Sequence, residues 1–85
     1  MDKNYMWYTY VLKSLKDGRY YIGATSNLEQ RVIRHNAGGN VSTKHRRPLQ
    51  LVYSEVYPTK EMAYQREKIL KSYKGGVAFK NLIPK

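Results

Sequence analysis

Residues 7–23 read WYTYVLKSLKDGRYYIG, and the way this stretch pairs with itself decides the fold. Trp7 to Leu15 is rich in aromatic and β-branched residues, as is Arg19 to Ala24, so each reads as a strand. Asp17-Gly18 between them is a hairpin signal, because both residues tolerate the positive φ of a tight turn. With Asp17-Gly18 as the whole loop, Lys16 pairs with Arg19, Ser14 with Tyr21 and Leu12 with Gly23. Side chains alternate across a strand, so Tyr10, Leu12, Ser14, Tyr21 and Gly23 then share one face. Trp7, Val11, Leu15, Tyr20 and Ile22 take the other, the more core-like of the two. A three-residue loop of Lys16-Asp17-Gly18 instead sends Tyr10 and Tyr21 to opposite faces, since a one-residue slip flips every side chain. The sequence leaves both registers open.

Outward from this hairpin, Ser26 and Glu29 have capping-box spacing, which predicts a helix from there to about Ala37, stopped by Gly38-Gly39. A basic loop, NVSTKHRRP at 40–48, leads into LQLVYSEV at 49–56, a third strand. Thr59 suits the N-cap of a second helix running to about Lys74, with Glu61 near its positive end. Gly75-Gly76 ends that helix, and Val77 to Leu82 has room for a short final turn or helix. The expected fold is α+β, a small three-stranded antiparallel sheet flanked by helices in the order β-β-α-β-α, with a last helix optional. One domain covering 1–85 accounts for the length, and no repeat, low-complexity segment or linker interrupts it.

Composition narrows the function. Sixteen Lys and Arg against six Asp and Glu give a net charge of +10, a field that draws polyanions, nucleic acid foremost. A basic surface that only keeps the chain dissolved is the ordinary alternative. No cysteine is present, which removes disulfides, thiolate zinc sites and thiol nucleophiles and points to a cytoplasmic setting. No signal peptide or membrane-length apolar run is visible, so a soluble chain is expected.

Few residues remain for chemistry. On the first helix Leu28 and Val32 mark the buried stripe, and Arg31 and His35, four apart, border it. On the second, Met62, Ile69 and Tyr73 form one side with Ala63 and Leu70 adjoining, Arg66 falls within the stripe, and Glu67 sits at its border. A surface pair with Lys71 is the plain explanation of Glu67; holding a divalent cation is the other. Among the acids, Asp2, Asp17, Glu29 and Glu61 have local roles in tail, turn and helix starts, leaving Glu55 and Glu67. That count excludes a carboxylate-rich two-metal site and gives little support to a glycosidase pair. There is no Walker loop, and His35 and His45 lack co-ligands at metal spacing. Phosphodiester chemistry with one metal, one carboxylate, cations and phenols is what the residues still permit.

The motif YTY followed by YYIG resembles the paired signature of the GIY-YIG nuclease superfamily. Tyr10 stands at the final Tyr of the first motif, and Tyr21-Ile22-Gly23 matches the second. Arg31 and His35 follow at the spacing of that family's helix-borne pair, and YQREKILK resembles its metal-binding helix with Glu67 as the carboxylate. Arg46-Arg47-Pro48 through Leu51-Val52-Tyr53 is similar to a stretch of the small stand-alone members. Tyr8 and Thr9 depart from the Gly and Ile of the first motif, and Asn81 is the one candidate for the family's C-terminal Asn.

The resemblance implies a metal-dependent endonuclease acting on DNA rather than RNA, directed by structure or damage rather than sequence. Mg²⁺ or Mn²⁺ would sit on Glu67, Tyr10 would be general base with a relay to His35, Tyr21 would orient the water, and Arg31 would stabilise developing charge. Tyr5, Tyr8 and Tyr20 are left as packing residues. Lys44, His45, Arg46 and Arg47 would hold flanking phosphates, which positions a substrate without reading it. A protein partner supplying specificity, and a monomer or weak dimer, complete the expectation. A catalytically silent nucleic-acid-binding module and a basic adaptor for an acidic partner stand as alternatives.

Overall fold

The computed structural model describes residues 6–83; Asp2 and Tyr5 lie outside the described residues. Strands β1 (Trp7–Ser14) and β2 (Tyr20–Thr25) form the hairpin, and β3 (Leu49–Tyr57) pairs on the other side of β1. All pairings are antiparallel, in the order β2-β1-β3. Helices α1 (Leu28–Asn36), α2 (Lys60–Ser72) and α3 (Val77–Leu82) complete an α+β fold, with one turn of 3-10 helix at Lys44–Arg46.

The hairpin loop has four residues, Leu15 to Gly18, rather than two. The Ser14 amide bonds to the Arg19 carbonyl at 2.8 Å, and Tyr10 faces Gly23 while Leu12 faces Tyr21. Two residues added to the loop shift the register by two, so the face assignment survives and the three-residue loop is excluded. Ser14 explains the wider loop: its Oγ accepts from the Lys16 and Asp17 amides, both at 3.1 Å, and donates to the Arg46 carbonyl at 2.6 Å. Leu15, expected on the core face, is part of this turn and is exposed.

Both faces of the sheet are packed. On one, Val11 meets Leu70 of α2 and Phe79 of α3. On the other, Tyr10, Leu12 and Leu49 meet Leu28 and Val32 of α1. A bulge in β3 opposite Val11/Leu12 lets both Val52 and Tyr53 pack with the Val11 cluster. The sheet thus separates α1 from α2 and α3.

Local chemistry sets the helix ends. Asn27, not Ser26, caps α1, its side chain accepting from the Gln30 amide at 3.1 Å, while Thr25 accepts from the Asn27 amide. The Ser26/Glu29 capping box is therefore not used, because the Thr25 hydroxyl fixes the turn one residue later. Thr59 caps α2 as expected, accepting from the Met62 amide at 3.2 Å. The inward stripe of α2 is Ala63, Arg66, Leu70 and Tyr73; Met62 and Ile69, expected within it, are largely exposed. Arg66 belongs there because it bonds to Glu55 through Nε at 2.9 Å and Nη2 at 3.2 Å, and Tyr53 and Tyr57 donate to the same carboxylate. Burial raises the pKa of Glu55, yet these hydrogen bonds outweigh it and hold the carboxyl below its ordinary value. Glu55 is thus a stapling residue between β3 and α2.

Candidate active site

β1 and β2 bring two phenols to the α1 face. Tyr10 and Tyr21 are diagonal neighbours there, their ring centroids 6.3 Å apart. Gly23 makes the arrangement possible: a Cβ on it would stand 2.5 Å from Tyr10 Oη and 2.7 Å from Cζ. The Tyr10 ring lies flat where any side chain at 23 would be, so glycine is required there by close approach rather than by φ.

Helix α1 adds the third ring. Its last turn is tied to the start of β3 by Asn36, whose side chain donates to the Leu49 carbonyl at 2.9 Å and accepts from the Leu49 amide at 2.8 Å. This anchors His35 over the sheet, 4.8 Å from the Tyr21 ring centroid and 6.1 Å from that of Tyr10. His35 is fully buried, and both its nitrogens are engaged: Nε2 lies 3.1 Å from Tyr10 Oη and Nδ1 lies 2.8 Å from Thr43 Oγ1. Packing by the ring alone does not describe a histidine held at both ends. Thr43, also fully buried, was not among the residues picked out from sequence. It lies in the basic loop, where charge drew the reading to Lys44 through Arg47.

The titration behaviour follows from burial. Removal from water pushes the Tyr10 hydroxyl up to about 12, and Tyr21 and, more weakly, Glu67 add to the rise while Arg31 opposes it. Burial lowers the pKa of His35, and the positive charges of Arg31 and Arg34 lower it further. At neutral pH the pair is therefore a protonated phenol beside a neutral imidazole. Both tautomers satisfy the Tyr10–His35–Thr43 line; with the proton on Nδ1, His35 donates to Thr43 and Nε2 accepts from Tyr10. Arg31 is half-buried one turn before His35, and its charge acts directly on both groups.

Glu67 approaches the cluster from α2, on the far side of the sheet, where α2 packs against β2. Its side chain is 17% exposed, and Lys71 Nζ sits 2.7 Å from Oε2. The surface pair expected from i, i+4 spacing is therefore present, and it leaves Oε1 without a partner among the described residues. No group of three or more His, Asp or Glu side chains gathers anywhere among the described residues. One carboxylate with one oxygen unpartnered among the described residues suits a hard divalent ion that retains most of its waters, as Mg²⁺ does, and does not suit zinc.

The basic residues divide. Lys44, His45 and Arg47 are exposed and, with Lys16 and Asn36, line one cleft. Arg46 turns inward to the hairpin, its Nε 3.5 Å from Asp17 and its Nη2 donating to the Tyr20 carbonyl at 3.4 Å. Asn81 is exposed on α3, the helix that packs through Phe79 beside Val11. Tyr20 packs edge-on against Phe79, and Tyr8 lines a groove beside α1. No helix among the described residues is long and apolar enough to cross a membrane.

Compared with known families, residues 6–76 match the GIY-YIG catalytic domain. A UPF0213 protein of Staphylococcus saprophyticus is 46% identical over 74 residues, which span 86% of this chain and 85% of that one. A UPF0213 protein of Staphylococcus epidermidis is 45% identical over 74 residues with the same coverage. Among solved structures, the solution NMR structure of a UPF0213 protein from Bacillus halodurans is 32% identical, covers 87% of this chain and 90% of its own, and has a TM-score of 0.47.

Proposed function

The chain belongs to the GIY-YIG family, whose domains are nucleases that bind nucleic acid and use a divalent metal, and on that premise we propose a metal-dependent endonuclease that cleaves DNA by structure or damage rather than sequence. The observation that carries this reading is the Tyr10–His35–Thr43 hydrogen-bond line, with Arg31 and Tyr21 against it. The whole of 1–85 is read as one such domain, at work in the cytoplasm, as a monomer or weak dimer that takes its specificity from a protein partner.

Tyr10 takes the proton of the attacking water while passing its own to His35 Nε2. Transfer to an imidazole already neutral at pH 7 is what makes a phenol with so high a pKa usable as a base. The resulting imidazolium keeps its Nδ1–H on Thr43, so the ring does not turn during the transfer. Tyr21 holds the water in line, and the Arg31 guanidinium bonds to the phosphate oxygens where negative charge grows. Glu67 would hold Mg²⁺ or Mn²⁺, which supplies Lewis-acid activation of the phosphate when bound. Lys44, His45 and Arg47 hold neighbouring phosphates; Arg46, engaged by Asp17, braces the loop that carries them. Asn81 is assigned no step.

Purified protein tests this on labelled single-stranded, duplex, nicked and branched DNA and on RNA, with Mg²⁺, Mn²⁺ or EDTA. Expected is metal-dependent cutting of a structured DNA, lost in Glu67→Ala. Salt-sensitive binding without cutting under any condition would instead make the chain a catalytically silent binding module.

A further inference from the structure

A second cleft opens beside the candidate active site, between the β2 edge and the junction of α2 with α3. Its floor is apolar, made by Ile22, Leu70 and Phe79, and Tyr20 and Tyr21 wall it. Tyr21 belongs both to this cleft and to the cluster around His35, so the two share a residue. Three cations, Arg19, Lys71 and Lys74, stand on its rim. The carboxylate nearest in chain, Glu67, is already paired with Lys71.

Lys74 reaches the rim through a backbone that lysine does not favour. Its φ is 52°, and Gly75 follows at 73°. A left-handed conformation is unfavourable for a residue with a Cβ, a cost that glycine at 74 would avoid. The turn itself therefore gives no reason for lysine at this position.

We infer that this cleft receives a single strand of nucleic acid adjoining the scissile phosphate, with Arg19 and Lys74 on its phosphates and its bases against Tyr20 and the apolar floor. A duplex presents phosphates outward and needs only surface cations, whereas unstacked bases need apolar and aromatic surface between the cations. The cleft offers that combination. The Lys44–Arg47 loop, with cations and little apolar surface, offers the other. On this assignment, which rests on the nuclease reading above, the substrate has a single-stranded arm next to duplex.

The test is fluorescence anisotropy with a short oligothymidylate and with a duplex, as a function of salt. The variant is Arg19→Ala/Lys74→Gly, glycine being suited to the φ at 74; Arg19→Ala alone serves if the double variant melts early. Two phosphate contacts at a slope of about 0.7 each lower the salt dependence by about 1.4, which amounts to roughly 25-fold weaker single-strand binding at 0.1 M than extrapolation from 1 M gives for the wild type. Duplex affinity is expected to stay unchanged, while Lys44→Ala/Arg47→Ala weakens it. Equal losses on both ligands, or no loss on either, overturn the cleft assignment. Wild-type cleavage of DNA alongside unaltered single-strand binding by the double variant overturns the cleft alone and leaves the nuclease reading standing. A wild type that neither binds nor cuts overturns both.

Discussion

Replacing Gly23 by alanine perturbs the candidate active site through one methyl group. The new Cβ would lie 2.5 Å from Tyr10 Oη, 2.7 Å from Cζ and 3.0 Å from Cε1. The first of these is about 1 Å short of ordinary contact, so the ring must move by that much. The 3.1 Å bond from Tyr10 Oη to His35 Nε2 does not absorb such a shift, since it becomes about 4 Å in one direction and about 2 Å in the other. Overpacking of this size costs about 1–3 kcal/mol and lowers the melting temperature of so small a domain by roughly 5–20 °C. Loss of the proton relay lowers the cleavage rate by about 10²–10⁴-fold. A double-mutant cycle with Tyr10→Phe supplies the decisive assay, by kcat and by thermal melting. Removing the hydroxyl eliminates the closest contact and the relay, so the two substitutions together should lower kcat far less than their separate effects combined, while Cζ at 2.7 Å keeps part of the melting cost. Full additivity, or a Gly23→Ala protein with wild-type rate and melting temperature, would refute the steric argument.

Thr43→Val leaves the buried Nδ1 of His35 unpaired, a loss of about 1–3 kcal/mol that urea unfolding measures. Nitrogen chemical shifts should show the His35 tautomer changing in this variant, with Thr43→Ser restoring it; an unaltered tautomer would exclude the assigned role. His35 has a folded pKa below its unfolded value near 6.5, so the unfolded chain takes up the proton first as pH falls. The stability from keeping it neutral is complete above about pH 6.5 and is lost as pH falls through the folded pKa, a slope that His35→Asn should remove from unfolding data. Arg66→Met strands the Glu55 carboxylate; because both groups keep partial water contact, about 2–3 kcal/mol should be lost rather than the full buried-pair figure. Adding Glu55→Gln should restore much of that stability, and a double variant no more stable than Arg66→Met would show that the pair is not the staple described.

What the sequence made legible was what depends on alternation and spacing. Of the two registers left open, the one that puts Tyr10, Leu12, Tyr21 and Gly23 on one face holds although its Asp-Gly turn is two residues too short, because parity is indifferent to an even shift. Arg31 and His35 on one helical face, and Glu67 paired with Lys71, followed likewise from local geometry. The misses depend on contacts between distant segments. Thr43 meets His35 only because the 40–48 loop folds back over α1, and no local pattern encodes that return. Arg66 falls within its stripe without a reason on its own helix, because its partner, Glu55, comes from another element. Ser14, read as one strand residue among others, governs the loop through hydroxyl bonds that periodicity does not see.

On the nuclease reading, the resting titration states also give each member of the cluster a part. A phenol raised to about 12 sits beside an imidazole held below its ordinary value, so the neutral pair is the favoured resting form. Left alone, the Tyr10–His35 pair does not ionise. Arg31 already lowers the Tyr10 pKa, while the charge of Glu67 raises it. Positive charge arriving at Glu67 therefore acts on Tyr10 in the same sense as Arg31, through the group that now opposes it. Lys71 partly performs that neutralisation in the resting protein, but at Oε2 alone and with its own side chain 56% exposed. On the nuclease reading, the β-hairpin and α1 hold a phenol that resists ionisation, and α2, from across the sheet, carries a carboxylate whose neutralisation eases it. Ground-state burial and charge-dependent activation are then two effects of the same packing.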